Sequence, residues 1–418
     1  MKPAQRNFIA GVASEFFWGM GFALFLPQIL VSRALVELGG SATLVGLLAS
    51  IFSIGLTLPQ VFSALTLPPR FTDPPRLVGL HLPALLGPLV AGLAFLVVPA
   101  KYPGYTVVVV LAGFAMFSMG IGIVIPHWVG CVGRCIPEKV RGRYFGVAFF
   151  GSGLGATLTG WLGERWADEG GLAWGYSLSF LSAILFMFLS LGCMLFFKPL
   201  VGRPKPQRPG AVWRAFRMMN EKLLEPGPFR VGLVLVILLN LASAPGNLFT
   251  VYLLQTVKMK GAWLQFLTPA MTLGAMAGSF LLGWTTDHRG LRAAYGVAFL
   301  AGLASLALII LGGNPITPAL AFAGFGFLNA AFPVVTLVML LKFGGRHEST
   351  LQQGLFNTLM SPWSFLAPIA AGWLAGWLGY GWTFAGGGTC CLVALLILDR
   401  YKGLEGKKAP FKTRKRQS

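Results

Sequence analysis

The first long apolar run of the sequence contains one carboxylate. Glu15 lies within the stretch from Phe8 to Leu30, which has the length and composition of a membrane-spanning helix. An ionised side chain in the hydrocarbon of a bilayer costs about 3 kcal/mol or more, so an acid at this depth usually faces a cavity or a partner. Glu15 is therefore the first candidate for a residue that binds protons or a solute.

The composition of the chain defines the environment of this carboxylate. The 418 residues are 55% hydrophobic and 11% charged, with a mean hydropathy of +0.72, whereas about a quarter of the residues are charged in soluble domains. Apolar segments of spanning length recur along the sequence, and the alternating pattern of a transmembrane β-barrel is absent. Because helices then remain as the way to satisfy the backbone in lipid, the sequence predicts an all-α integral membrane protein.

Apolar windows separated by turn and charge signals predict twelve transmembrane helices. The longest polar interval divides them into two six-helix halves, an N-terminal bundle (1–197) and a C-terminal bundle (229–399), joined by a basic cytoplasmic linker (198–228) and followed by a basic tail (400–418). The linker is expected to form a helix along the membrane surface over 212–224. The predicted spans are 8–31, 43–67, 77–98, 104–131, 142–163, 174–197, 229–255, 262–284, 292–312, 317–341, 351–374 and 380–398.

The basic residues are distributed unequally between the two sides of the predicted bundle. When the N-terminus is placed in the cytoplasm, five of the 33 Lys and Arg residues fall outside. This asymmetry predicts a multi-pass protein of the inner or plasma membrane with both termini in the cytoplasm. The five outer residues are Arg33, Lys101, Arg165, Lys258 and Lys260.

The net charge of +20 comes from these Lys and Arg residues, which lie in short gaps between apolar runs and in the tail. This placement indicates contact with anionic lipid headgroups as partners and does not favour nucleic acid. The five cysteines lie in or beside apolar runs without a metal-ligand spacing, and we interpret them as packing residues. The sequence has no phosphate-binding GxxxxGKS/T motif and no catalytic dyad at membrane depth, so we expect no cofactor, no metal and no enzymatic activity.

One loop contains the most specific motif of the sequence. Gly283, Asp287 and Gly290 resemble the Gly-x-x-x-Asp-Arg-x-Gly-Arg loop of the major facilitator superfamily, with Arg289 and Arg292 as its basic residues, and the resemblance covers nearly the whole chain. It implies that Asp287 caps a helix and pairs with a cytoplasmic Arg, while Gly290 permits a tight turn. In such transporters the loop is implied to latch one conformation.

Further segments resemble the same superfamily. The segment Pro137–Gly146 resembles the loop before span 5, and 346–356 occupies the same place before span 11, as expected for two parallel repeats that rock against each other. The first-half loop 67–76 lacks the Gly-x-x-x-Asp frame, so the standard latch is in doubt there. The residues 7–19, 38–42, 46 and 58–60 resemble a bacterial branch of the superfamily that implies no particular substrate.

The resemblance also implies that spans 1, 4, 7 and 10 line a central cavity. Aromatic residues at mid-depth could hold a ring-bearing or cationic solute, and core packing or interfacial anchoring is the alternative. Asparagines at this depth could line the cavity or form hydrogen bonds between helices. The candidate solute contacts are Trp18, Gln28, Trp128, Asn240, Asn247 and Asn329.

Glu15 and His127 are predicted to lie at a similar depth. Glu15 follows Asn7 by eight residues and His127 precedes Arg134 by seven, which places them about 12 and 10 Å from the cytoplasmic face at 1.5 Å per residue. An acid beside an imidazole in a partly dry cavity could carry protons. The alternative is that Glu15 pairs permanently with His127 or Arg134 as a structural tie.

These residues together predict a secondary transporter. No span has a central Lys or Arg, so a strongly anionic solute would lack its usual counter-charge. We expect a monomer that moves a small neutral, apolar or cationic solute by alternating access, with proton coupling through Glu15. An uncoupled uniporter or a lipid-like flippase with a structural Glu15 is the alternative. A receptor or an intramembrane enzyme would need a large extramembrane domain or a catalytic dyad, and neither is found.

Overall fold

The computed structural model describes six long ranges of the chain. These are residues 2–98, 102–202, 227–259, 261–312, 316–336 and 349–405, with the single residues 210, 213, 217, 220, 221, 314, 338 and 339 between them. The predicted surface helix over 212–224 lies almost entirely outside the described residues, and so does the predicted tail beyond residue 405.

In the first half of the chain, residues 2–202, three of the long helices begin at a proline and one follows a capping serine. Proline fits the first helical position because the missing N–H has no partner there, and Ser41 accepts a hydrogen bond from the Leu44 amide at 3.3 Å. A π-helical turn, Pro27–Val31, connects α1 to α2, and Gly171, with a φ of 64°, turns the chain within α6. The helices are α1 (Pro3–Leu24), α2 (Ser32–Glu37), α3 (Ala42–Thr66), α4 (Pro74–Val97), α5 (Pro103–Cys135) and α6 (Glu138–Met194).

The second half, residues 227–405, has similar interruptions. A 3-10 turn, Ala244–Leu248, separates α7 from α8 at the Pro245-Gly246 pair, because proline lacks the N–H that a continuous helix would use. Gly290, with a φ of 84°, turns the chain within α9. The helices are α7 (Pro228–Ser243), α8 (Phe249–Gln255), α9 (Leu267–Leu311), α10 (Ile316–Asn329), α11 (Ser349–Leu378) and α12 (Tyr380–Arg400).

The helices match the predicted spans as far as the residues are described. Nine helical segments in those ranges are long and apolar enough to cross a membrane. Two of them contain the turns at Gly171 and Gly290 and therefore cover two predicted spans each. Helix α11 covers the span predicted at 351–374. The predicted fold class, an all-α membrane bundle, is confirmed.

Each half has an aromatic centre of the same design. In the first half the Phe25 ring lies 5.2, 5.4 and 5.0 Å from the rings of three phenylalanines, at positions 114, 117 and 180. In the second half the Phe249 ring lies 5.6, 5.6 and 5.5 Å from those at positions 322, 325 and 384. Each centre joins the end of the first helix of its half to the fourth and sixth spans, so the two halves repeat one packing arrangement.

The two halves meet at the end of the bundle opposite the chain termini, which we call the far end. Thr250 donates to the carbonyl of Gln28 at 2.8 Å, and Gln255 donates to the carbonyl of Gly40 at 2.9 Å. Close backbone contacts lie beside these bonds, because a methyl group at Gly46 would overlap the carbonyl of Pro368. The far end is therefore closed in this structure.

Candidate functional site

Glu15 lies on the face of α1 that packs against α6. Gly11, Glu15 and Gly19 follow at intervals of four residues and share one face, and a methyl group at either glycine would overlap Tyr144 or Ser152 of α6. Glu15 is 9% exposed, and Tyr144 of α6 packs at Gly11, one helical turn before Glu15 on the same face. The two glycines thus allow a close helix contact that removes Glu15 from lipid and from most water.

Glu15 has no hydrogen bond and no ion pair within the part of the chain that the structure describes. A carboxylate without water or counter-charge is costly to ionise, so its charge depends on whether water or a cation can reach it. Glu15 thus combines burial with the lack of a described partner.

His127 is buried on α5 and interacts with α3. Its Nε2 lies 3.0 Å from the Ser63 hydroxyl, and its ring centroid is 6.1 Å from that of Phe71. The described contacts do not join His127 to Glu15. The Arg134 side chain is also occupied elsewhere, by Asp73 at 2.8 Å. The structure therefore shows neither of the pairings proposed for Glu15 from the sequence.

The two candidate tryptophans of the first half have different surroundings. Trp128 lies 6.1 Å, between ring centroids, from Phe145 and belongs to the small apolar cluster that contains Tyr144, beside Glu15. Trp18 makes an edge contact at 5.7 Å with His81, a buried residue of α4 that the sequence reasoning did not single out. Trp128 is thus close to the Glu15 region, whereas Trp18 packs within the first half.

The candidate asparagines belong to the second half. Asn240 donates from Nδ2 to the Val236 carbonyl at 2.9 Å, and its Oδ1 accepts from Ser364 of α11 at 2.8 Å. Asn247 donates to the carbonyl of Ala244 at 3.1 Å, within the 3-10 turn. Asn329 is the last residue of α10. Asn240 therefore forms a hydrogen bond between helices. This is one of the two roles that its sequence position allowed, and a contact in the cavity is the other.

Gln28 lies in the π-helical turn at the far end. Its backbone carbonyl accepts the bond from Thr250, while its side-chain Oε1 is buried and has no hydrogen-bond partner among the residues that the structure describes. A buried amide oxygen without a partner is uncommon and costs free energy. Gln28 therefore combines a contact between the halves with an acceptor that a solute or water could use.

Several polar residues between the halves were missed by the sequence analysis. Asn357 donates to Oε1 of Gln60 at 3.2 Å, and Ser50 donates to the carbonyl of Phe365 at 2.6 Å. These neutral groups connect α3 to α11. The two helices correspond to predicted spans 2 and 11, which are not among the spans implied to line the cavity. Their hydroxyl and amide types are common in helix contacts, so only the tertiary structure distinguishes them.

The motif loop of the second half surrounds the turn at Gly290. Asp287 and Arg289 are exposed, and the Arg289 guanidinium lies 6.0 Å from the ring centroid of Trp284. Arg292 donates to the carbonyls of Leu398 and Asp399, at 2.6 and 3.2 Å, at the end of α12. Gly283 precedes the turn on α9. The described contacts thus fix Arg292 to α12, and Asp287 has no described ion pair.

The first-half loop contains an ion pair that its altered motif did not predict. Arg134 donates from Nη1 to Asp73 Oδ1 and to Thr72 Oγ1, both at 2.8 Å. Asp73 directly precedes α4, where a negative charge is favourable. Arg134 also donates to the carbonyl of Val201 at 3.3 Å. The loop therefore links the start of α4 to the end of α5 and to the segment after α6 without the Gly-x-x-x-Asp frame.

The fold defines a class of protein, an all-helical membrane bundle whose two halves repeat one packing arrangement. The family model of the Major Facilitator Superfamily matches residues 8–367. The chain belongs to the major facilitator superfamily. No protein among those with curated functions matches the sequence.

Solved structures share the fold at low sequence identity. The human organic anion transporter MFSD10 (TETRAN) is 16% identical, with a TM-score of 0.62 over 95% of this chain and 100% of that chain. A D-xylose–proton symporter is 14% identical, with a TM-score of 0.68 over 97% and 99%. The partially occluded inward-open xylose transporter XylE from E. coli is 12% identical, with a TM-score of 0.68 over 96% and 98%. The chain therefore has the fold of a multi-pass membrane transporter.

Proposed function

We propose that the protein is a proton-coupled secondary transporter of a small neutral, apolar or cationic solute, and that Glu15 carries the proton. The observation that supports this proposal is the burial of Glu15 without a described counter-charge. A group of this kind binds a proton when its surroundings are dry and releases it when water enters. Alternating access changes those surroundings in each cycle, so proton and solute movement become linked.

Alternating access is supported by the way the halves meet. Their contacts at the far end consist of single hydrogen bonds and close glycine contacts, which can separate without disrupting the aromatic centre of either half. With both termini in the cytoplasm, the far end is the outer side. One solved protein with this fold is described as a D-xylose–proton symporter, which provides a precedent for the coupling.

The proposed solute class follows from the groups described between the halves. Gln60, Asn357 and Ser50 present neutral amides and hydroxyls there. The buried Arg33 is not available to an anion, because its guanidinium already pairs with three carboxylates. A solved neighbour is described as an organic anion transporter, so the test includes anions as well.

The proposal is tested by uptake into proteoliposomes with an imposed pH gradient, using a panel of sugars, organic cations and organic anions. We expect a neutral or cationic compound whose uptake is driven by the gradient in the wild type and loses that drive in Glu15→Gln. Glu169→Gln is the matched control, because Glu169 is an exposed carboxylate paired with Arg165 at 2.7 Å. Gradient-driven uptake that is unchanged in Glu15→Gln would refute the role of Glu15.

The second candidate function is an uncoupled uniporter or lipid-like flippase. It is favoured by the packing of Glu15 between two glycine contacts, which a structural carboxyl group would also show. In this case uptake would follow the solute gradient alone, and the pH gradient would have no effect in either the wild type or Glu15→Gln.

A further inference from the structure

A buried arginine at the far end organises three carboxylates. Arg33 of α2 uses each arm of its guanidinium: Nε pairs with Glu37 at 2.9 Å, Nη1 with Glu164 at 2.9 Å and Nη2 with Asp168 at 2.5 Å. Its side chain is 7% exposed. Charge-assisted bonds of this kind are among the strongest in proteins. The cluster therefore fixes the end of span 1 to the end of span 5 within the first half.

The cluster carries more negative than positive charge. Among the described residues, three carboxylates face one guanidinium, and the Glu164 side chain, which is 1% exposed, has an Oε1 atom without a hydrogen bond there. The Tyr176 phenol, also buried, lies within electrostatic reach of Arg33 and Glu164 but brings no positive charge. Glu37 and Asp168 are partly exposed, at 32% and 20% of their side chains, so groups of the second half can reach this charge. Positive or donor groups from the second half would therefore be attracted to this position.

The second half supplies two such groups. Gln265, just before α9, donates from Nε2 to the second oxygen of Asp168 at 3.3 Å. A cavity of about 420 Å³ also lies here, and Lys258 lines it together with Arg33, Glu37 and Asp168. The cavity is also lined by the apolar residues Val36, Leu254, Met259 and Leu264.

The backbone at Lys258 is unusual. It has a φ of 55°, and it is the one residue other than glycine with a positive φ in the described ranges. This conformation is unfavourable for a residue with a side chain, and such strain persists where surrounding contacts compensate for it. This loop places Lys258 at the cavity that Arg33, Glu37 and Asp168 also line.

We propose that these residues form the outer gate of the transporter. Attraction between the Arg33 cluster and the pair Lys258 and Gln265 stabilises the state with a closed far end, and these contacts break when the far end opens. The cluster of the first half stays intact in both states, because its ion pairs connect α2 only to α6. This inference rests on the alternating access proposed above but concerns residues distant from Glu15.

The gate can be tested by hydrogen–deuterium exchange of the full-length protein in lipid nanodiscs, without solute. The measured regions are 28–41 and 255–268, which meet at the far end. Gln265→Glu places a fourth carboxylate against Asp168, and we expect exchange in both regions to rise about tenfold, as like charges at this distance repel strongly. Gln265→Lys supplies a cation instead and should slow exchange in the same regions.

The opposite signs of these two changes separate gating from misfolding, because a destabilised protein would exchange faster in every region. Lys258→Glu should resemble Gln265→Glu, while Lys258→Arg should resemble the wild type. Glu169→Gln removes the carboxylate next to Asp168, whose pair with Arg165 is exposed, and should leave exchange unchanged. If Gln265→Glu and Gln265→Lys both exchange like the Glu169→Gln control, or both shift in the same direction, the gate proposal is wrong.

The result is independent of the proton-coupled transport assay. Exchange is measured without solute and without a pH gradient, so it decides the gate even when no compound in the uptake panel is transported. Conversely, uptake that depends on Glu15 supports the proposed function whether or not exchange at the far end responds to position 265.

Discussion

Two carboxylates are buried in the described part of the chain, and their surroundings differ. Glu164 pairs with Arg33 at 2.9 Å, whereas Glu15 has no described ion pair. A paired buried carboxylate mainly fixes structure, because breaking the pair strands a charge away from water. An unpaired one can change its charge when water or a solute arrives. Among single residues, we therefore propose Glu15 as the one that carries the proton.

His127 is expected to be structural, although its sequence position made it a candidate proton partner. Its bond to Ser63 connects α5 to α3 and leaves it without a described contact to Glu15. His127→Gln keeps a side chain able to bond Ser63, so we expect the pH profile of transport to match the wild type within about twofold. A profile in proteoliposomes that loses its pH dependence, as in Glu15→Gln, would show that His127 takes part in coupling.

Asn7 is predicted to be a structural centre at the near end, where the termini lie. Its side chain donates to the carbonyls of Cys135 and Lys198, at 2.8 and 2.7 Å, and accepts from the Lys198 amide at 2.9 Å. Asn7→Ala leaves these buried groups unpaired, and we expect a loss of about 2–4 kcal/mol in stability. Thermal unfolding in detergent measures this loss.

The control for Asn7 is an asparagine at the surface. Asn314 accepts from the amides of Ile316 and Thr317, at 2.9 and 3.1 Å, near the start of α10. Because water can replace these bonds, Asn314→Ala should cost about 1 kcal/mol or less. Equal losses for the two variants would show that Asn7 is not a structural centre.

At the scale of residues, the sequence identified Glu15 because membrane depth alone makes a carboxylate exceptional. It did not identify Asn7, Asp73 or Gln265, whose types are ordinary near helix ends. Their partners are separated from them by 61 to 191 residues along the chain. No local pattern specifies such contacts, so only the packed structure shows them.

Helices α3 and α11 form a close contact that depends on glycine. A methyl group at Gly46 would overlap the carbonyl of Pro368, and one at Gly372 would overlap that of Ala42. Backbone carbonyls cannot move aside as flexible side chains can. This contact brings the halves together at the far end and must separate when that end opens.

Gly46→Ala is therefore predicted to keep the far end open. Because the added methyl group hinders closure rather than folding of either half, we expect transport to fall by about tenfold or more with little change in expression. Uptake in proteoliposomes together with hydrogen–deuterium exchange at 28–41 measures both effects. Gly79→Ala is the matched control, since a methyl group there meets no atom within 4 Å. Equal transport by both variants would contradict the prediction.

Some element boundaries coincide with proline or glycine in the sequence, although other prolines, such as Pro59 of α3 and Pro126 of α5, lie inside helices. The Pro245-Gly246 pair interrupts span 7, and Gly290 turns the chain in the motif loop. The aromatic centres around Phe25 and Phe249 were not anticipated, because phenylalanine is common in apolar spans and each ring's role depends on helix rotation. The pairwise spacing of positions 114 and 117, repeated at 322 and 325, is the signal that could have indicated them.

The whole molecule is predicted to have its far end outside the cell. This orientation follows from the distribution of Lys and Arg, which the fold alone does not determine. An epitope tag at the C-terminus should be protected from protease in right-side-out vesicles and accessible after the membrane is permeabilised. Cleavage of the tag in intact vesicles would reverse the orientation and place the gate at Arg33 on the cytoplasmic side.

The class of the molecule could be predicted from its sequence, because hydropathy and repeated spans strongly constrain a membrane bundle. The arrangement of charge at the far end could not. Arg33 was recognised only as one of five outer basic residues, and its three carboxylate partners lie on α2 and α6. A charge cluster assembled from separate helices has no sequence pattern of its own.

The most direct test of the central claim is a measurement of protons taken up or released by the purified protein in detergent as neutral and cationic compounds are added. We predict that at least one compound changes the number of bound protons in the wild type and in Glu169→Gln, but not in Glu15→Gln. A compound that binds, as shown by thermal stabilisation, and yet moves no protons in the wild type would contradict proton coupling through Glu15.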